Sequence, residues 1–254
     1  MVRTRPLSLL SGNALKLIAA ALMVLDHIGV IFFWDTPGET YLILRRLGRL
    51  SMPIFAYFIA EGCRYTRSPL GYLGKLFACL VVCQIGNYVG TGSWDICILG
   101  TFFIGAALLF CLQNAKKALF SRDLEKGAAW LVLLLLGIAA TYYVNLRVYI
   151  DYGFWACLLP VLGGLFFLPE NAPAHLKKWD NKGLGLLCFA VCLCLLVLLD
   201  DYREMQAFCL LSLPFLGLYS GKRGKGNMKY FFYLFYPIHL ALLEGIYQLV
   251  KMYA

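Results

Sequence analysis

The sequence predicts an all-α, polytopic helical membrane protein of about nine transmembrane helices, with its N-terminus inside and its C-terminus outside. Three observations carry this. Of 254 residues, 61% are hydrophobic and only 15% are charged, against about 45–50% and about 25% in an ordinary soluble domain. Mean hydropathy is +0.72. The apolar residues come in long unbroken runs rather than the alternating ten-residue strands of a barrel, and helices and closed barrels are the only backbones that satisfy themselves in lipid. This composition excludes a disordered chain, a collagen and a soluble two-domain enzyme.

A transmembrane helix needs roughly 20 mostly apolar residues, with a range of about 17–25. Nine runs answer to this: Lys16–Phe33, Arg49–Cys63, Tyr72–Val89, Ile96–Gln113, Ala128–Val144, Tyr152–Leu168, Gly183–Leu199, Met205–Tyr219 and Tyr230–Val250. The second and eighth are short. The first does not read as a cleavable signal peptide, because it is too long and carries Asp26 and His27. The loops between the runs are short, so residues 1–254 read as one domain. The longest loop, Pro169–Lys182, divides a front part of six helices from a rear part of three.

The net charge of +9 reads as topology rather than as a nucleic-acid surface, because Lys and Arg concentrate in cytoplasmic loops. With the N-terminus inside, only Arg45, Arg46, Arg49, Arg147, Arg203 and Lys251 of the 23 bases fall outside. The outer segments carry Asp35, Glu39, Asp95, Asp151, Asp200, Asp201 and Glu204. One cluster disobeys: Arg45, Arg46 and Arg49 sit together on the outer side, placed either at an interface or in a cavity. Most of the ten cysteines lie within apolar runs and no CxxC pair occurs. Small buried hydrophobes are expected, with neither a disulfide framework nor a metal site.

Ionisable residues inside a span are costly and mark function by default. In the first run, Lys16 and His27 are eleven residues apart. At about 100° per residue they share a helix face, about 16 Å apart. A cation at the inner mouth with an imidazole deeper in suits a channel for an anionic donor with a base at its far end. Asp26 points roughly 100° away from His27, toward a neighbouring helix. In the second run, Tyr57 and Glu61 share a face, and Glu61 lies beside Arg64 and Arg67. It is either a substrate contact or one half of a Glu–Arg clamp. Arg49 either holds an acidic acceptor group, pairs with Asp26, or snorkels to the interface. In the last run, Tyr236 and His239 are three apart with Pro237 between them. A phenol and an imidazole there can bind substrate or move a proton, or simply pack.

The inner loop Ser220–Asn227 interleaves glycines with Lys222, Arg223 and Lys225. It reads either as a phosphate cradle or as plain positive-inside charge. It has no Walker A spacing, and no HExxH, GxSxG or GxGxxG motif occurs in the chain, so metalloprotease, serine hydrolase and Rossmann readings lack support.

Together these segments resemble the TraX family, named for the F-pilin acetylation protein. The matching residues are Leu15-Lys16-Leu17-Ile18-Ala19 with Asp26-His27-Ile28-Gly29; Gly48-Arg49 with Pro53-Ile54-Phe55-Ala56 and Glu61-Gly62; Asp151-Tyr152-Gly153-Phe154; Gln206-Ala207-Phe208; and Tyr233-Leu234-Phe235-Tyr236-Pro237-Ile238-His239-Leu240. They run from about residue 13 to about 247. The chain departs from the family pattern at Cys83–Tyr88, where an acidic residue and a proline are expected, and at Asp95–Gly100, where an asparagine is expected.

The resemblance extends to the wider group of transmembrane acyltransferases, whose essential histidine near the end of the first helix matches His27. It implies an enzyme of the bacterial cytoplasmic (inner) membrane that moves an acetyl group from acetyl-CoA to a peptide, glycan or small-amine acceptor. His27 is then the general base, with Asp26, Tyr236 and His239 in the catalytic group. Lys16, Arg64, Lys75, Lys222 and Arg223 would hold the donor phosphates, and Arg49, Tyr57 and Glu61 the acceptor. Membrane lipid is the other expected partner, nucleic acid is not expected, and a homo-oligomer stays open. The alternative is a transporter of a lipid-linked or anionic small molecule.

Overall fold

The computed structural model describes residues 9–253 other than residue 227. Arg3 and Arg5 of the inner-face bases, Asn227 of the basic loop and the side chain of Lys229 lie outside the described residues. The described chain is all-helical, and its only β pairing is two isolated bridges, Leu10 with Tyr219 and Ile96 with Ile150. In order the helices are α1 (Gly12–Phe33), α2 (Glu39–Gly48), α3 (Ser51–Tyr65), α4 (Pro69–Thr91), α5 (Ile98–Phe120), α6 (Leu124–Asn145), α7 (Gly153–Gly163), α8 (Lys182–Leu199), α9 (Arg203–Gln206), α10 (Ser212–Gly217) and α11 (Lys229–Tyr253). Short 3-10 turns cover Ala174–Trp179 and Ala207–Leu211.

Five of these helices are long and apolar enough to cross a membrane: α1, α4, α5, α6 and α8. Five of the nine predicted runs fall in them. The last run falls in α11, which has 25 residues. The run at 152–168 yields only the 11-residue α7, about 16 Å long. The run at 205–219 is not one helix but α9, a 3-10 turn and α10. Pro214 lies in α10 and donates no backbone hydrogen bond, which works against a continuous helix there. The run at 49–63 matches α3, but α2 precedes it with only Arg49 and Leu50 between. Hydropathy misses α2 because Glu39, Arg45 and Arg46 dilute its apolar residues.

The described residues form two compact units. One comprises Met1–Phe55 with Val197–Ala254, the other Ala56–Leu196, so the divisions fall inside α3 and α8.

In the first unit, α2 and the start of α3 run back along α1. The contacts show the reversed order: Gly29 lies against Leu44, Asp26 against Arg45 and Gly48, and the Ser51 hydroxyl donates to the Ala19 carbonyl at 2.8 Å. A Cβ at Gly48 would collide with the Asp26 side chain, so glycine is what lets α1 and α2 approach. α11 runs along α1 in the same direction. Lys16 lies over Phe232, His27 against Tyr236 and His239, and Phe32 against Tyr247. The segment before α11 folds over the start of α1. The Lys222 and Arg223 carbonyls accept from the Gly12 and Asn13 amides at 2.8 Å each, and the Ser11 hydroxyl accepts from the Ala14 amide. These are the amides that an α-helix leaves unsatisfied at its N-terminus.

In the second unit α5 is the central helix, packed by α4, α6 and α7. Gly105 lets α7 come close, since a Cβ there would meet the Cys157 carbonyl and Pro160. α7 ends inside the unit. The carbonyls of the segment that follows it find donors on α5: Lys116 Nζ bonds the Leu165 and Phe167 oxygens, and Gln113 Nε2 bonds Gly164 O at 3.3 Å. At the departures from the family pattern, Gln84 fastens the following turn, donating to Asp95 O at 2.7 Å and accepting from the Cys97 amide. Asp123 caps α6, and the hydrogen bond from the Lys126 ammonium holds its carboxyl below the ordinary carboxylate range.

The close approach at Gly48 makes a prediction. Gly48→Ala forces α2 away from Asp26, and overpacking of this kind costs about 1–3 kcal/mol. A lower melting temperature for the detergent-purified variant checks it; an unchanged one contradicts the contact.

Candidate active site in the first unit

α1 carries two ionisable residues in succession, Asp26 and His27, about 100° apart. His27 faces α11 and Asp26 faces α2. This is the geometry the sequence spacing predicts for Lys16, His27 and Asp26.

His27 Nδ1 lies 2.8 Å from the Met23 carbonyl, one helical turn earlier, and 3.2 Å from His239 Nε2. His239 Nδ1 in turn lies 2.8 Å from the Phe235 carbonyl. His239 is 6% exposed and stacks on the Phe235 ring, with centroids 4.9 Å apart and planes 12° apart. Tyr236 completes the cluster, its ring 6.1 Å from that of His27 and 5.5 Å from that of His239. Pro237 contributes no amide hydrogen to α11 between these two residues, which loosens the helix at the site. Residues 27 and 239 are thus joined across 212 positions of chain.

Asp26 Oδ2 accepts from Arg45 Nη1 at 2.7 Å. The Arg45 and Asp26 side chains are 16% and 14% exposed, and Asp26 Oδ1 is buried with no hydrogen-bond partner among the described residues. The cation for Asp26 is therefore Arg45. The sequence had offered Arg49 for that pairing and had left Arg45 on an outer loop. Asp26 stands seven residues before the end of α1, roughly 10 Å along the helix, so Arg45 is an interior charge. Arg49 is buried at the break between α2 and α3, near Cys209, whose surroundings include Asp200 and Asp26. Arg46 lies over the Phe208 ring at 5.3 Å.

At the N-terminal end of α1 the structure gathers bases that the sequence had only counted together. Lys222, Arg223 and Lys225 are exposed on the loop that caps α1, and Lys16 lies one turn further on, 5.5 Å over Phe232. Buried Asn13 anchors this loop, donating to the Lys225 and Gly226 carbonyls. The glycine spacing has a backbone cause. Gly221, Gly224 and Gly226 all have φ between 72° and 92°, and a Cβ on Gly224 would meet the Ser11 side chain.

The remaining predicted residues belong to the second unit. Arg64 bonds Asp180 at 2.9 Å and lies 4.7 Å over the Phe167 ring; it ties the end of α3 to the chain entering α8. Tyr57 is buried against Phe189. Glu61 interacts electrostatically with Tyr57 and Lys182. Lys75 is exposed on α4. The residues that sequence reasoning passed over are Arg45, Gly48 and Asn13. Arg45 had given a signal as part of the outer arginine cluster and Gly48 as part of the Gly48-Arg49 block; Asn13 had given none.

Long apolar helices that keep an imidazole pair and an ion pair in their interior define the class: an all-helical membrane protein with buried ionisable groups. The family model described as TraX protein matches residues 11–247, and the chain belongs to the TraX family. It is also similar to a protein of Dichelobacter nodosus described as probable fimbrial assembly protein FimC, serogroup H1. The two are 30% identical over 240 residues, covering 92% of this chain and 94% of the relative. No solved structure matches.

The Asp26–Arg45 pair gives a second prediction. Removing one partner of a buried pair strands the other charge and costs about 3–5 kcal/mol. Arg45→Leu is therefore expected to destabilise strongly, and Asp26→Leu in the same chain to restore part of the loss. Thermal unfolding of both single variants and the double variant closes the cycle; strictly additive losses would mean the pair is not coupled.

Proposed function

We propose that the protein is an integral membrane acyltransferase, moving an acetyl group from cytosolic acyl-CoA to an amine or hydroxyl acceptor at or across the membrane. The observation that carries this reading is the His27–His239–Tyr236 cluster within α1 and α11, at 3.2 Å between the imidazoles, on helices whose shared N-terminal end is ringed by bases. The donor fits that end. Lys222, Arg223 and Lys225 are exposed and Lys16 is at the mouth, so several cations meet a ligand with several phosphates.

His27 is the general base. It removes the acceptor proton as the acceptor nitrogen or oxygen forms a bond to the acyl carbon. The carbon–sulfur bond then breaks, and the proton passes to the departing thiolate, which leaves as CoA. A positioned base is worth about 10²–10⁴-fold in rate. The Tyr236 hydroxyl is the nearby donor for charge developing on the carbonyl oxygen. Arg49 is the residue for an acidic group on the acceptor. The description of the Dichelobacter relative makes a surface-appendage subunit one peptide acceptor to try, beside glycans and small amines.

With α1 and α11 both taken as crossing helices, their parallel run is compatible with the proposed nine-crossing layout, N-in and C-out. Two parallel crossing helices at the ends of a chain require an odd total and put the termini on opposite faces. In the bacterial inner membrane a C-terminal alkaline phosphatase fusion is then expected to be active, and a C-terminal fluorescent protein dark; the reverse pattern overturns the orientation.

The function is tested with purified protein in nanodiscs, labelled acetyl-CoA and host membranes. Label should appear on an acceptor, and His27→Ala should lose at least about 10²-fold of that transfer while still binding CoA. An active His27→Ala protein removes the assignment. Solute uptake into vesicles without thioester cleavage would favour a transporter.

A further inference from the structure

We infer that His239 is a positioning residue for His27: it fixes the His27 tautomer and leaves Nε2 of His27 as the basic nitrogen. This rests on the acyltransferase reading of the site.

The argument is one of donors and acceptors. A carbonyl oxygen only accepts, so a ring nitrogen 2.8 Å from one carries the proton. That holds for His27 Nδ1 against Met23 O and for His239 Nδ1 against Phe235 O. A neutral imidazole has one such proton, so both Nε2 atoms are lone pairs. The 3.2 Å contact between His239 Nε2 and His27 Nδ1 then has a single direction, with the His27 N–H donating and shared between Met23 O and His239. The opposite direction, with His239 Nε2–H donating to a lone pair on His27 Nδ1, turns both Nδ1 lone pairs toward carbonyl oxygens, those of Met23 and Phe235. Stacking on Phe235 holds the His239 ring in the plane this requires.

One lone pair is left uncommitted. His27 Nε2 has no hydrogen-bond partner among the described residues, and its ring is half-buried. The ionisable groups facing it are His239 and Tyr236 from α11, Arg45 from α2 and Asp26 on α1 itself. Asp26 is committed to Arg45, so the orienting role that a carboxylate plays in a hydrolase triad falls to His239. When Nε2 takes the acceptor proton, the ring becomes an imidazolium. Its Nδ1–H bond to the His239 lone pair becomes charge-assisted and stronger. His239 therefore acts through His27 and removes no proton from the acceptor.

Two variants and one spectrum test this. His239→Gln keeps an acceptor oxygen at the end of a side chain of similar reach; His239→Leu removes it. With acetyl-CoA as donor and host membranes as acceptor source, CoA-thiol release is expected to lose about 10²-fold in kcat for the Leu variant. Its KM for acetyl-CoA should stay within about twofold, and the Gln variant should recover most of the loss. Equal losses in both variants with lowered melting temperatures mean packing alone, and no loss in either removes the role. Independently of activity, ¹⁵N NMR of histidine-labelled protein is expected to show the Nδ1–H tautomer for His27 and His239, and an altered His27 Nδ1 signal in the Leu variant. An Nε2–H tautomer at either residue overturns the assignment even if acetyl transfer is observed. If the wild-type protein transfers no acetyl group, the enzyme reading fails while the spectrum still decides the tautomer.

Discussion

Polar atoms set among apolar helices have no water to bond, and each one left without a partner costs several kcal/mol in such surroundings. Much of this structure follows from how the chain meets that demand. The amides at the start of α1 receive the carbonyls of the 220–226 loop. The Leu165 and Phe167 carbonyls, just past the end of α7, receive the Lys116 ammonium. Thr101, Ser51 and Ser212 donate to backbone oxygens, and each site imidazole donates to the carbonyl one turn before it. Against this background of local satisfaction, the groups that matter are those whose partners lie on another helix and whose remaining valence stays open. His27 is such a group.

The Asp26–Arg45 pair obeys a different logic. Desolvating two charges costs so much that an apolar pair of the same volume often serves stability equally well. What the pair adds is position. Asp26 and His27 are consecutive on α1, so tethering one to α2 sets the azimuth and height of the other against α11. Glycine at 48 is part of the same device, because the helices could not close on Asp26 past a side chain. The broken passage from α2 to α3 places Arg49, a third arginine, at the interruption, where irregular backbone is tolerated only when buried in protein or facing a cavity.

Much of this was legible in the sequence and some was not, for identifiable reasons. Composition and run length exposed the helical membrane class, because hydropathy is a local property. The faces shared by Lys16 with His27 and by Tyr236 with His239 followed from helix geometry. α2 escaped because Glu39, Arg45 and Arg46 lower its hydropathy, and no local pattern announces that Arg45 answers to an interior partner. The meeting of His27 with His239 spans nearly the whole chain and needs the direction of α11 relative to α1. The glycines of the basic loop looked like a phosphate cradle, and the structure supplies another cause for them: three left-handed turns and a close pass over Ser11. Arg64 looked like a donor-site base but is held by Asp180 and Phe167.

The direction of α11 also decides which charges lie at the same end of the helix pair. Lys222, Arg223 and Lys225 immediately precede α11, and Lys16 lies near the start of α1. Because the two helices run the same way, these beginnings share one end. Were α11 antiparallel, about 33 Å of helix would separate the groups, and no single ligand could meet both. The same direction sets the imidazoles level. His27 is eleven residues beyond Lys16 and His239 ten beyond the first residue of α11, so each lies about 15–16 Å from its helix's basic start. A ligand held by its charges at that end and reaching along the two helices would meet both rings at one depth, which is the arrangement that the proposed acyl transfer needs.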